Sequence, residues 1–242
     1  IKFQKLKKLK QELNKPYTKP ITRTREYVDI IRKILARKEP VTSDGEFYPL
    51  PYSGTGSWGM GKSLKSIVHP LRSDVPIFIG AEGPKNVTQT ARIADGWLPL
   101  YYSPYRPEVY SDQLTDAKPG FEITATVLAN VDDDLSRALY PVKAMLGFYI
   151  GGMGSKDKNF HRDLMARMGY PDEAEEIQEL FFAGKKDQAI EVVPDKFADE
   201  ISLCGPVDRI KEKLCDWKKS PVTSLLINGD ANLLRKMAEL AL

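Results

Sequence analysis

The clearest pattern of apolar and polar positions lies between Val75 and Leu100. Ile77, Phe78 and Ile79 are a short continuous apolar run, the signature of a parallel strand buried on both faces, and Val87, Ala91 and Ala94 follow at helical spacing. This predicts a strand at 76–80, a helix at 86–94 and a second strand at 96–100 that runs straight into Tyr101 and Tyr102. Upstream, Tyr27, Ile30, Ile31, Ile34 and Leu35 form one helical stripe that stops before Pro40. Residues 44–74, with Pro49, Pro51 and a glycine-studded stretch around Trp58, are too irregular for long elements and read as an excursion or lid. Trp58 there either closes over a ligand or fills a local mini-core.

Downstream the alternation repeats. A helix is expected near 107–116, a strand at 121–131, and a closing unit made of strand 222–228 and the helix carrying Leu233, Leu234, Met237 and Leu240. From Ser136 to about Leu214 the pattern is nearly all helical, with Leu139, Met145, Leu146 and Tyr149 on one helix and Ile177, Leu180 and Phe181 on another. That stretch is too long for a plain crossover and is read as a helical insertion before the last strand. Gly151-Gly152-Met153-Gly154 within it lacks a preceding strand, which favours a helix corner over a phosphate cradle. Asp132-Asp133-Asp134 lacks the Gly and Glu of a calcium loop and reads as an acidic helix start.

Four candidate parallel strands, each tied to helices, are half of what a (β/α)8 barrel needs. The fold class is therefore α/β with a parallel sheet. Parallel sheets are hardly ever left uncovered, so an exposed sheet of this kind calls for a cover: a homo-oligomer is expected, with a complementing segment or a rearranged compact sheet as the alternatives.

The candidate chemistry lies in Gly80-Ala81-Glu82-Gly83-Pro84-Lys85-Asn86. Two glycines let a backbone approach a ligand closely, Pro84 suits a first helical turn, and free N–H groups at a helix start attract an anion such as phosphate. Spacing alone leaves a plain βα turn equally open. Glu82 beside a phosphate is repulsive unless its carboxylate accepts hydrogen bonds from the turn amides and orients them. The two histidines, His69 in a loop and His161 in a polar helix, have no evident partner and read as structural or surface residues. No Ser/His/Asp constellation is readable, and no catalytic acid or base is named.

Composition narrows the classes. The net charge is +3 with 29% charged residues and 42% hydrophobic residues, an ordinary globular balance. Lys2, Lys5, Lys7, Lys8 and Lys10 are the one asymmetry, and with Phe3 the single aromatic among them they read as a solvated face or chain end, not a nucleic-acid or membrane arm. Cys204 and Cys215 have no CxxC partner, which argues against a disulfide framework or zinc knuckle and for reduced, cytoplasmic thiols. No metal site is suggested. No apolar stretch of ~20 residues or cleavable leader pattern is present.

The segment 80–104, GAEGPKNVTQTARIADGWLPLYYSP, resembles the flavin-site segment of the luciferase-like monooxygenase superfamily, in particular its branch dependent on the deazaflavin coenzyme F420. The resemblance extends over 18–51 (TKPITRTREYVDIIRKILARKEPVTSDGEFYPLP), 64–78 (LKSIVHPLRSDVPIF) and 149–214. It implies a luciferase-like (β/α)8 TIM-barrel domain at 16–242, incomplete at the N-terminal side and preceded by an unmatched basic segment at 1–15. It also implies an oxidoreductase that positions F420, or alternatively FMN, and transfers hydride or uses oxygen on a small organic substrate. Gly80, Ala81, Glu82, Gly83, Lys85 and Asn86 are the implied cofactor-binding residues, with Lys85 and backbone N–H groups meeting the phosphate. Family members carry further βα units ahead of this region and draw the groups near the reactive ring largely from them. The competing reading is a non-catalytic half-barrel that binds a flavin or acts by association.

Overall fold

The computed structural model describes residues 18–241, and the basic segment at 1–15 lies outside the described residues. The described residues form two compact units that divide between Val75 and Pro76. In the first, helix α1 (Pro20–Ala36) precedes two short antiparallel strands, β1 (Ser43–Asp44) and β2 (Pro49–Leu50). The Glu26 carboxylate on α1 accepts hydrogen bonds from the backbone N–H groups of Glu46, Phe47 and Tyr48 at 2.9–3.1 Å, tying the loop to the helix. The helix stripe is shifted from the expected one. Val28 and Ile30 are buried, whereas Tyr27 is exposed and pairs its ring with Tyr48 at 6.0 Å. Trp58 is 87% exposed, so it fills no mini-core.

The second unit is the alternating one. Strand β3 (Phe78–Gly80), helix α2 (Pro84–Ile93) and strand β4 (Gly96–Leu98) follow the expected order, and β3 and β4 are parallel neighbours with Ile79 opposite Trp97. The region near 107–116 is a 3-10 turn at Pro107–Val109 and a four-residue helix, α3 (Ser111–Leu114). Strand β5 (Glu122–Val131) is the centre of the sheet. It pairs in parallel with β4 through Gly96–Glu122 and Trp97–Ile123. A helical insertion follows: α4 (Leu135–Gly152), α5 (Phe160–Arg167), α6 (Pro171–Phe182), α7 (Lys186–Val192) and α8 (Asp195–Glu200). Strand β6 (Ser202–Gly205), helix α9 (Val207–Lys219), strand β7 (Ser224–Asn228) and helix α10 (Ala231–Ala241) complete the chain.

β6 corrects the expectation of helix through Leu214. Its four residues are all buried and lie flat against the C-terminal half of β5, from Leu128–Ser202 to Val131–Gly205. A strand this short, buried on both faces and flanked by helices, has no alternation to reveal it. β7 pairs with the middle of β5, from Thr124–Ser224 to Leu128–Asn228.

The sheet among the described residues does not close. Val127 on central β5 is 1% exposed, but β3 is half-buried at best and β7 alternates between half-buried and exposed residues, with Leu226 at 47%. The run Ile77–Ile79 is therefore that of an edge strand in this chain and not one buried on both faces.

The acidic run acts as a helix start. Asp134 caps α4 by accepting from the Arg137 N–H, and Asp132 accepts from the Asp134 N–H and holds the Arg137 guanidinium. The glycine-rich break is the corner at the end of α4. A Cβ on Gly151 or Gly152 would sit 2.5 Å from Phe181 of α6, and one on Gly154 would sit 2.4 Å from Asn159. These glycines let neighbouring elements meet.

Candidate functional site

The turn after β3 is fixed from three sides. From β4, the fully buried Trp97 donates its indole N–H to the Ala81 carbonyl at 2.8 Å. The Asp95 carboxylate accepts from the Ile77 N–H at 2.8 Å and so anchors the strand that enters the turn. From the insertion, Arg167 of α5 donates to the Glu82 carbonyl at 2.9 Å.

The turn ends in the N-terminus of a ten-residue helix. Gly83 is the N-cap of α2, Pro84 occupies the first turn, no side chain caps the helix, and its first turn carries no acid. No side chain meets the N–H groups of this first turn, although the Asn86 N–H donates to the Gly83 carbonyl at 2.9 Å, and the positive end of the helix dipole lies there with Lys85 exposed beside it. A Cβ built on Gly80 would come no closer than 3.9 Å to the Leu98 carbonyl, and one on Gly83 no closer than 3.9 Å to Phe160. Gly83 has φ −70°, which any residue adopts. Neither glycine is required by its own chain's packing.

The Glu82 carboxylate does not take the expected role. Among the described residues no turn amide donates to it. Instead Glu82 Oε2 lies 2.9 Å from Nδ1 of His161, in the first turn of α5. The two atoms are not aligned as a hydrogen bond, yet both are buried and have no other partner. His161 is therefore no isolated surface residue, unlike His69, which is exposed. Asn159, the fully buried N-cap of α5, sets the position of His161. Its amide oxygen accepts from the N–H groups of His161 and Arg162 at 3.0 and 3.2 Å, and its amide nitrogen donates to the Ile150 carbonyl at the end of α4.

A third buried group joins this pair. Tyr101 leaves β4 with φ 55°, a left-handed conformation that costs a non-glycine residue about 1–2 kcal/mol. Its ring is 2% exposed and packs edge-on against Tyr149, His161 and Phe197 at centroid distances of 6.4, 5.9 and 6.4 Å, and its hydroxyl has no partner in the chain. Burial, then the Glu82 charge, pushes the phenol well above its usual range, so it stays protonated. Tyr102 turns the other way, stacks on Tyr110 at 6.0 Å, and is pushed up to about 12 by burial and by Glu108.

The strand end is locked to the insertion by a second network. Arg106 donates to the Glu200 carboxylate at 2.6 and 3.0 Å, Tyr170 bridges both, and Ser103 donates to Glu200 at 3.3 Å. Asn86 is half-buried on α2. The six expected residues thus lie on one contiguous turn; Tyr101 was expected at the end of the strand though given no role, and His161, Asn159 and Tyr149 are what the sequence reading missed. The doubled tyrosine after a buried strand was the one local signal among them. Among the described residues no group of His, Cys, Asp or Glu could hold a metal ion. Cys204 and Cys215 are both free, the former buried and its thiol pushed up by burial.

Parallel strands linked by helices, with the glycine turn at the C-terminal end of β3, define an α/β protein of barrel type whose helical insertion lies between β5 and β6, one strand earlier than expected. More specifically, the luciferase-like monooxygenase family model matches residues 8–224, and the chain belongs to that family. Rv3520c of Mycobacterium tuberculosis, which bears the provisional name coenzyme F420-dependent oxidoreductase, is 44% identical over 234 residues, covering 93% of this chain and 67% of that protein. The 5,10-methylenetetrahydromethanopterin reductase of Archaeoglobus fulgidus is 26% identical over 87% of this chain and 60% of its own length. Among solved structures, the coenzyme F420-dependent tetrahydromethanopterin reductase of Methanopyrus kandleri superposes with TM-score 0.64 at 23% identity, over 92% of this chain and 61% of that one. An F420-dependent secondary alcohol dehydrogenase gives 0.59 at 16% identity, over 90% and 61%. These superpositions show the shared barrel fold, of which the open sheet described here is an incomplete portion.

Proposed function

We propose that this chain carries the phosphate-binding turn of an F420-dependent oxidoreductase that transfers hydride between the deazaflavin and a small organic substrate. The observation that carries this reading is the β3–α2 turn. An uncapped helix start, an exposed Lys85 and two glycines that the fold does not demand suit a phosphate. Kinship to Rv3520c and to the methanopterin reductases favours F420 over FMN.

In this reading the backbone N–H groups of Gly80, Ala81 and Gly83, together with Lys85 and Asn86, hold the phosphate, and Glu82 shapes the turn. Hydride chemistry is supplied by the coenzyme when it is bound. The chain's own contribution is to bind and orient. Trp97 and Arg167 keep the turn in place, and the aromatic wall of Tyr101 and Tyr149 keeps water away from its inner side. The open edges at β3 and β7 favour a second reading, a non-catalytic flavin-binding or interaction subunit, and in either case a second copy is a fitting cover for them.

Titration of the full chain with F420 and with FMN, followed by fluorescence, tests the proposal, with intact mass and an absorbance spectrum of the purified protein alongside. Saturable F420 binding that is weakened by competing phosphate is expected. Absence of binding to both compounds overturns it, and binding without turnover of simple alcohols or other hydride donors supports the subunit reading.

A further inference from the structure

Glu82 raises a difficulty that the turn alone does not resolve, because a carboxylate sits inside a segment whose amides and lysine suit an anion. Its side chain is long enough to fold back on the free N–H groups of its own turn, and a carboxylate capping a helix start is a favourable arrangement. If it did so, it would compete with any phosphate for the same donors. The carboxylate is instead held 2.9 Å from His161 Nδ1.

The geometry points to His161 as a positioning residue: the N-terminal end of α5 draws the Glu82 carboxylate off the β3–α2 turn and so keeps the turn's amides available to a phosphate-bearing ligand. Four features support this. Glu82 Oε2 and His161 Nδ1 are both buried and have only each other. His161 is fixed by the fully buried cap Asn159 and by ring contacts to Tyr149 at 5.1 Å and Tyr101 at 5.9 Å, so it is a rigid anchor. The same helix grips the backbone of the turn through Arg167. The ring of Phe160, next to His161, lies 3.9 Å from where a Cβ on Gly83 would be. The insertion thereby participates in ligand recognition without supplying a ligand contact itself.

This inference rests on the phosphate-turn reading above, and the experiment separates the two. The full chain is titrated with F420 and FMN as wild type, H161F, E82Q and H161F/E82Q. Phe preserves the packing against Tyr101 and Tyr149 while removing Nδ1, and H161Q serves as a second variant should H161F fold poorly. Expected results are a loss of about tenfold in affinity for H161F and recovery to within about twofold of wild type in the double variant, since the released carboxylate is then gone. A double variant as weak as H161F, or H161F binding as tightly as wild type, overturns the inference while leaving the phosphate turn standing. If wild type binds neither compound, the functional reading fails, and amide exchange in the unliganded chain still decides this one. Exchange at Gly83 and Lys85 should slow in H161F as Glu82 caps them and should recover in the double variant. Unchanged exchange overturns the inference.

Discussion

Two glycine-rich segments in this molecule look alike in sequence and behave in opposite ways. At the end of α4, Gly151 and Gly152 are glycine because the chain itself occupies the place of a side chain, with Phe181 2.5 Å from where each Cβ would be. At the β3–α2 turn the corresponding neighbours of Gly80 and Gly83 are 3.9 Å away, and Gly83 has an ordinary backbone conformation. The first pair is explained wholly by helix packing. The second is not explained by the fold, and the open space there suits the ligand approach proposed above. Neighbour distance thus separates a structural glycine from a candidate binding glycine where spacing cannot.

The sharpest way to break the comparison is to substitute both sites. Gly151→Val should lower unfolding stability by about 3 kcal/mol, because a core that already holds Phe181 there must be overpacked, as read from urea denaturation midpoints. Asn159→Ala should cost about 2 kcal/mol in the same assay, from a lost helix cap and an Ile150 carbonyl left without its donor. Gly83→Val should leave stability within about 0.5 kcal/mol of wild type and weaken F420 binding by at least ~1.4 kcal/mol, about tenfold. A Gly83→Val protein that unfolds early would place the two glycine sites in one class after all.

The smallest effect concerns acid. Asp199 is partly buried, which alone would raise its pKa, but Arg209 at 2.7 Å and Lys213 hold it below the usual aspartate value. A carboxyl lowered on folding stabilises the protein above the unfolded-state value of about 4 and loses that contribution as the pH falls through the folded-state value. Asp199→Asn should therefore flatten the stability profile between about pH 5 and pH 2, measured by thermal melts.

What the sequence made legible follows from how each element announces itself. The unit at 76–100 was readable because a strand run, two glycines, a proline and a helical stripe adjoin one another, so the local signals agree. The insertion was readable from its period. β6 was not, because four buried residues between helices carry no period, and the edge character of β3 was not, because an apolar run is the same whether or not a neighbouring strand covers it. The candidate turn was legible as a contiguous segment. The Glu82–His161 contact was not, because nothing in the spacing of a turn and a polar helix encodes which face of that helix meets the turn.

Trp97 gives this molecule a built-in optical sensor. Its indole is fully buried and its one polar atom is committed to the Ala81 carbonyl, so any movement of the turn must alter the surroundings or the hydrogen bond of that chromophore. The chain's other tryptophans are Trp58, exposed, and Trp217, buried. With both replaced by Phe, intrinsic emission would come from Trp97 alone, and the turn could be watched in real time without a label as ligands are offered to it.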